Sequence, residues 1–235
     1  DGLDDLAIGA TAFDQPQRLN CGGVMLVRGR KQSATAGIHV QCPDTVLFAA
    51  NAGDAMGRSV TGLGDLNDDG CDEVAIGLSG ADQPGKSDQG AVAVLFGHGA
   101  KCKFSEPMAV LLYSNEANAQ AGFSLGAGDL DGDKLPDLVV GAVGHAKSGN
   151  AVGAAWVVLG SYLAKQTPQP WEDGVAPANK PALLDPNGGN LAVEGELAGE
   201  RLGSAVAVVP RPGGKGFAGV AVGSPLGAVG GTLFS

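Results

Sequence analysis

Aromatic side chains make up only 5% of this 235-residue chain, so its interior is not built around large rings. Basic residues are scarce as well. Lys and Arg number 15 against 25 Asp and Glu, and the formal net charge of −10 argues against nucleic acid and anionic membrane surfaces, both of which need a basic face. Apolar runs are short and broken by glycine: Ala151 to Gly160, among the longest, falls well under the ~20 residues of a membrane-spanning helix, which excludes insertion of that kind. The four cysteines (Cys21, Cys42, Cys71, Cys102) lack Cys-x-x-Cys or Cys/His spacing, so zinc and thioredoxin-type chemistry have no support. Their even number fits two disulfides and an oxidising compartment, with buried free thiols as the alternative.

What the chain does have is glycine, 40 residues of it, and short runs of Val, Ala, Leu and Ile. That is the profile of many short strands joined by tight turns. The runs repeat. "DGLDDLAIGA" (1–10), "DGCDEVAIGL" (69–78), "DKLPDLVVGA" (133–142) and a degenerate "GFAGVAVGSP" (216–225) recur at steps of 68, 64 and 82 residues. Before them come "MGRSVTGLGD", "AGFSLGAGD" and "RLGSAVAVV"; after them come "CGGVMLVRG", "QGAVAVLFG", "VGAAWVVLG" and a terminal "VGGTLFS". A fourth apolar stretch closes each period.

Four short strands repeated about every 65 residues predict an all-β fold of propeller blades, because a lone four-stranded sheet cannot bury both faces until it stacks on neighbours. The expected organisation is a single propeller segment over 1–235, with blades at 1–55 (partial), 56–118, 119–200 and 201–235 (partial). The Pro-rich stretch 161–200 reads as an insertion whose Trp171 either anchors a partner or packs the loop down.

Two acidic loops precede the second strands. Asp65, Asn67, Asp69 and Glu73 fill positions 1, 3, 5 and 9 of one; Asp129, Asp131, Asp133 and Asp137 fill the same positions of the other. Hard oxygen ligands at alternate positions, with a backbone carbonyl at position 7 (Cys71, Leu135), suit calcium better than magnesium, which rarely takes an all-protein cage. An EF-hand is excluded. Position 12, where that motif needs a bidentate Glu, holds Ile76 and Val140, and strands stand where its helices would be.

These blocks resemble the FG-GAP repeats of the integrin α-subunit propeller. "MGRSV", "AGFSLG" and "RLGSAV" match its Phe-Gly-like start, and "IGA", "IGL", "VGA" and "VGSP" its strand end. The resemblance implies a seven-bladed β-propeller of which about three and a half blades are visible, with calcium (Ca2+) between strands one and two of a blade. The ligands it implies are Asp65, Asn67, Asp69, the Cys71 carbonyl and Glu73; then Asp129, Asp131, Asp133, the Leu135 carbonyl and Asp137. Asp1, the Leu3 carbonyl and Asp5 correspond to positions 5, 7 and 9 of a further loop. Lys134 stands where the family has a turn glycine, which is expected to weaken its loop, and "VPRPGGKGFAG" in the fourth block has no carboxylate to offer. Blade geometry brings Cys71 near Cys102, leaving Cys21 for Cys42.

Catalytic signals are weak. "GFSLG" (122–126) fits a nucleophile-elbow pattern, but Ser124 opens a first strand where the repeat also puts Ser59 and Ser204, so it reads as structural. His39, His98 and His145 stand singly in loops, without metal or general-base spacing. The expected function is a calcium-binding, non-catalytic adhesion or protein-interaction module, secreted or on a cell surface. Its expected partner is a protein or glycan there, or further copies or another chain that complete the propeller. The alternatives are an accessory propeller of a secreted, phospholipase-like hydrolase and a structural subunit of a surface filament.

Overall fold

The computed structural model describes residues 3–29, 43–99, 102–171, 182–184, 192–209 and 218–226. Strands β1 (Leu6–Ala10), β2 (Gly23–Val27) and β3 (Thr45–Phe48) form a three-stranded antiparallel sheet in chain order. The next sheet is a four-stranded meander of β4 (Met56–Gly64), β5 (Glu73–Leu78), β6 (Ala91–His98) and β7 (Lys103–Ser114). The third pairs β8 (Ala121–Gly128) with β9 (Asp137–Ala142) and β9 with β12 (Ala154–Val158); a separate small hairpin, β10 (Ala146–Lys147) and β11 (Asn150–Ala151), lies between β9 and β12 in the chain, and a single-turn helix, α1 (Gly160–Leu163), follows β12. β13 (Gln169–Pro170) and β14 (Ala182–Leu184) leave that sheet to pair with β7, and β15 (Ala192–Glu194) returns to pair with β12. β16 (Ala205–Val209) and β17 (Gly219–Gly223) pair as the start of a further sheet. The fold is all-β: two complete blades flanked by parts of two more.

Strand periodicity explains the core. In β6, Ala91, Ala93 and Leu95 join the cluster shared with the first sheet, while Val92, Val94 and Phe96 join the cluster shared with the third. A strand buried on both faces needs apolar residues at every position, which is what "AVAVLF" supplies. Across the next gap, Leu138, Val140, Trp156 and Val158 meet Leu63, Leu112 and the second face of β6.

The recurring glycines are contacts between blades. A Cβ on Gly9, Gly77 or Gly141 would stand 2.1, 2.0 or 2.1 Å from the carbonyl oxygen of Gly57, Gly122 or Gly203 respectively, inside van der Waals range. Those three partners have φ of +85°, +81° and +86°, the left-handed region that favours glycine. Serines reinforce the joint: Ser59 Oγ donates to the Gly122 carbonyl and Ser124 Oγ to the Gly203 carbonyl, both at 2.8 Å. This corrects the sequence register. Ser204 directly follows Gly203 and so corresponds to Arg58 and Phe123; its hydroxyl donates instead to the Arg201 carbonyl.

Trp171 is a packing residue. It is buried in the cluster between the first and second sheets, and its amide donates to the Pro107 carbonyl at 2.7 Å, so β13, Trp171 and β14 lie along the outer edge of the preceding blade.

Candidate metal centre

The two acidic loops join β4 to β5 and β8 to β9 with nearly superimposable internal bonding. Asp65 accepts the amides of Asp69 and Gly70 at 3.1 and 2.8 Å, Asn67 Oδ1 accepts that of Asp69 at 3.0 Å, and Asp69 accepts that of Cys71 at 2.9 Å. Asp129 accepts the amides of Gly132 and Lys134 at 2.7 and 3.1 Å, Asp131 that of Asp133 at 3.1 Å, and Asp133 that of Leu135 at 2.8 Å. Asp and Asn bond readily to backbone two residues on, so alternation of these residues folds the loop on itself. Positions 1, 3 and 5 therefore serve the turn before they serve any ion.

Position 9 differs in kind, because it is the first residue of the second strand and fully buried in both loops. Asp137 is satisfied: Oδ2 accepts the Leu130 amide at 2.6 Å and Oδ1 the Gly160 amide at 2.8 Å. Burial raises its pKa all the same, against the pull of those two amides. Glu73 accepts the Leu66 amide at 2.7 Å through Oε2 and feels a weaker pull from the Gly97 amide, while its buried Oε1 makes no full hydrogen bond among the described residues. Burial pushes its pKa up to about 7, and the neighbouring Asp69 and Asp65 push the same way. Asp5 repeats the bond to the end of a third strand, accepting the Gly29 amide at 2.8 Å. Asp1, the companion expected for Leu3 and Asp5, lies outside the described residues.

Two observations bear on a cation. Oxygens of Asp129, Asp131 and Asp137 all lie within 4.8 Å of one another. Asp133, expected in the same set, is not in that group. In the other loop, the buried Glu73 carboxyl has an oxygen that makes no full hydrogen bond among the described residues, and it stands near enough to Asp65 and Asp69 for their charge to raise its pKa. Both donor sets are hard oxygens, which suits a divalent cation of the calcium kind. When bound, such an ion would supply charge neutralisation and cross-linking of the hairpin.

The expected Cys71–Cys102 disulfide is present, with Cα atoms 5.1 Å apart, and ties the end of the first acidic loop to the β6–β7 turn. The companion pairing is corrected: Cys21 is a buried free thiol whose Sγ lies 3.4 Å from the Phe13 carbonyl, and Cys42 lies outside the described residues.

His145 is a polar centre that spacing along the chain did not reveal. Its Nδ1 meets Glu116 Oε2 at 2.5 Å and its Nε2 meets Glu194 Oε1 at 3.2 Å, while Lys147 Nζ pairs with Glu194 Oε2 at 3.0 Å. The ring stands edge-on to Trp156, with centroids 5.9 Å apart. Hydrogen bonding to Glu116 raises its pKa, outweighing burial. The cluster joins the connection from β7 to β8, the turn after β9 and strand β15, three segments with no local sequence relation.

With this geometry in hand, comparison with known proteins gives a consistent result. Residues 56–95 and 121–158 match the FG-GAP repeat family. The chain is 37% identical to integrin alpha-5 of Xenopus laevis over 148 residues, which is 61% of this chain and 14% of the relative. It is 35% identical to integrin alpha-8 of Mus musculus over 151 residues, 63% of this chain and 14% of the relative. A phosphatidylinositol-glycan-specific phospholipase D of Bos taurus is 28% identical over 170 residues, 71% of this chain and 20% of the relative. The chain thus spans a small part of the length of these relatives.

Proposed function

Its two complete blades being FG-GAP repeats of the integrin-α type, we propose that the protein is a calcium-stabilised propeller segment that acts outside the cell as an adhesion or protein-interaction module, without catalysis of its own. The observation that carries this reading is the Asp129, Asp131 and Asp137 cluster at the root of a hairpin. Like charges so close repel one another, and a divalent ion turns that repulsion into a cross-link between strands one and two. The proposed ligands are those the repeat implies, with the buried position-9 residues Glu73 and Asp137 holding the ion to the sheet. Asp1, the Leu3 carbonyl and Asp5 complete the proposal for the first blade.

The metal loops follow first strands, so they lie on the face opposite the connections between blades, and partners bind on the latter face. Among the described residues no helix is long and apolar enough to cross a membrane. The proposed domain is one propeller segment with blade divisions near residues 55, 118 and 200, completed by further blades. The likeness to the phospholipase D supports a second reading, in which the same propeller accompanies a hydrolytic domain and catalysis lies outside these residues.

Thermal unfolding in calcium and in chelator tests the proposal, with Asp65→Asn and Asp129→Asn alone and together. Asn removes the charge and keeps one of the two amide bonds that each Asp accepts, so each variant's midpoint in chelator carries the loss to the turn and its response to calcium carries the loss of the ion. Calcium at a hundred times its dissociation constant should stabilise by about 2.7 kcal/mol per site. The single variants should each remove one site's share, and the double variant all of it. An unfolding midpoint that ignores calcium would reject the metal reading.

A further inference from the structure

We infer that Arg58, Phe123 and Arg201 form a recognition site for a carboxylate side chain of a protein partner, on the face opposite the metal loops. The three residues come from consecutive blades. Arg58 lies near the start of β4, Phe123 near the start of β8, and Arg201 just ahead of β16, each at the beginning of its blade's first strand. The Arg58 guanidinium carbon stands 3.8 Å from the centroid of the Phe123 ring and that of Arg201 5.9 Å from it. The two cations are therefore brought to one ring.

Neither guanidinium has a hydrogen bond or ion pair among the described residues, although the chain carries 25 carboxylates. Both arginines are exposed and the ring is half-buried. In a protein of net charge −10, two like charges gather around one aromatic ring, and no ion pair to a described acid offsets them. A guanidinium held over a ring spends its flat face on the contact and keeps its in-plane N–H donors for a bidentate oxyanion. Stacking also fixes the side chain beforehand, which lowers the entropy lost when a ligand binds.

The register of the blades assembles the site. Arg58, Phe123 and Ser204 each follow a positive-φ glycine (Gly57, Gly122, Gly203), so Arg58 and Phe123 occupy the same place on adjacent blades and meet across the joint that Ser59 closes. The Ser204 hydroxyl holds the Arg201 carbonyl at 2.7 Å, anchoring the backbone that presents the second arginine. A partner Asp or Glu reaching this place would be bracketed by two forks with the ring as a hydrophobic floor. The inference deepens the proposed interaction role and rests on it for the assignment of the partner-facing side.

The test follows the side-chain Nε–Hε resonances of Arg58 and Arg201 by NMR in the calcium-loaded protein, each assigned with its own Arg→Gln variant. The probes are an N-acetylated, C-amidated Gly/Ser peptide bearing one Glu, the same blocked peptide with Gln, and inorganic phosphate. The Glu peptide should shift both resonances and the Gln peptide neither. Arg58→Gln or Arg201→Gln should weaken the Glu peptide by at least about tenfold, the loss expected for a charge-assisted hydrogen bond. Resonances that ignore the Glu peptide overturn the inference, and a phosphate response as strong as the peptide's overturns it in favour of a small-anion site. Calcium stabilisation measured on the same samples keeps the two proposals apart, because it tests the metal reading whatever the arginines do.

Discussion

The loops at 65–73 and 129–137 share a backbone and divide its difficulties differently. Both need the left-handed region at positions 4 and 6. The first has Asp68 (φ +58°) and Gly70 (φ +84°) there; the second has Gly132 (φ +85°) and Lys134 (φ +74°). Each loop thus carries one glycine and one strained residue, at exchanged positions. A Cβ at Gly70 would meet nothing within 4 Å, so Lys134 is a conformational cost and not a steric clash. The expected weakening by Lys134 has its counterpart in Asp68. The loops differ more in how they are fastened: the position-9 carboxyl takes the amide of the loop's second residue in both, but the first loop adds a disulfide at Cys71 and the second adds the Gly160 amide on Asp137 at 2.8 Å.

Removing the fastening of one loop should separate them most. Cys71→Ser with Cys102→Ser opens a loop with a sequence separation of 31 residues, and the chain-entropy estimate for that length is about 3–4 kcal/mol. Denaturant unfolding should show that loss. Calcium titration of the variant should show weakened binding at 65–73 with 129–137 unchanged; equal weakening at both would deny that the disulfide serves the first loop.

Next in size is a change expected to leave the two blades alike. Gly77→Ala and Gly141→Ala each drive a methyl into a backbone carbonyl of the next blade, costing about 3 kcal/mol as unrelieved overpacking. Denaturation midpoints that fall by similar amounts would support one shared joint; a loss at only one would limit it to that blade.

The exchanged glycines predict about 1 kcal/mol each. Lys134→Gly should raise the calcium-loaded midpoint, and so should Asp68→Gly, while Gly70→Lys or Gly132→Asp should lower it by a similar amount. Unequal responses would show that charge at these positions outweighs backbone strain.

The smallest effect belongs to the joint between the second and third blades. His145 has a folded pKa above its ordinary value of 6.5, because of Glu116 first and Glu194 as well, with Lys147 on the far oxygen of Glu194. The proton is bound more tightly in the folded state, so its contribution is full below about 6.5 and lost as pH rises through the folded pKa. Midpoints in saturating calcium should therefore decline above neutrality in the native protein, and His145→Gln should flatten that slope. An unchanged slope would remove His145 from the joint.

Much of this was legible along the chain. Strand alternation, the period, the Asx-rich turns and the Cys71–Cys102 pair follow from local chemistry or from repetition, and the structure bears them out. The serine register is ambiguous by one residue along the chain because "RLGSAV" offers two alignments, and the positive φ that Gly203 shares with Gly57 and Gly122 decides between them. Along the chain His145 reads as a lone histidine, because its partners are 29 and 49 residues away in sequence.

By itself the sequence determined the elements and the loops. An Asp at every second position bends the backbone over its own amides, and an apolar run of β-formers extends between such turns whatever surrounds it. The tertiary structure decided what the glycines are for, which serines join blades, that the Glu73 carboxyl is buried and that two arginines share one ring. Those outcomes depend on the approach of one sheet to the next, and that distance is set by the packing of both faces at once rather than by any segment alone.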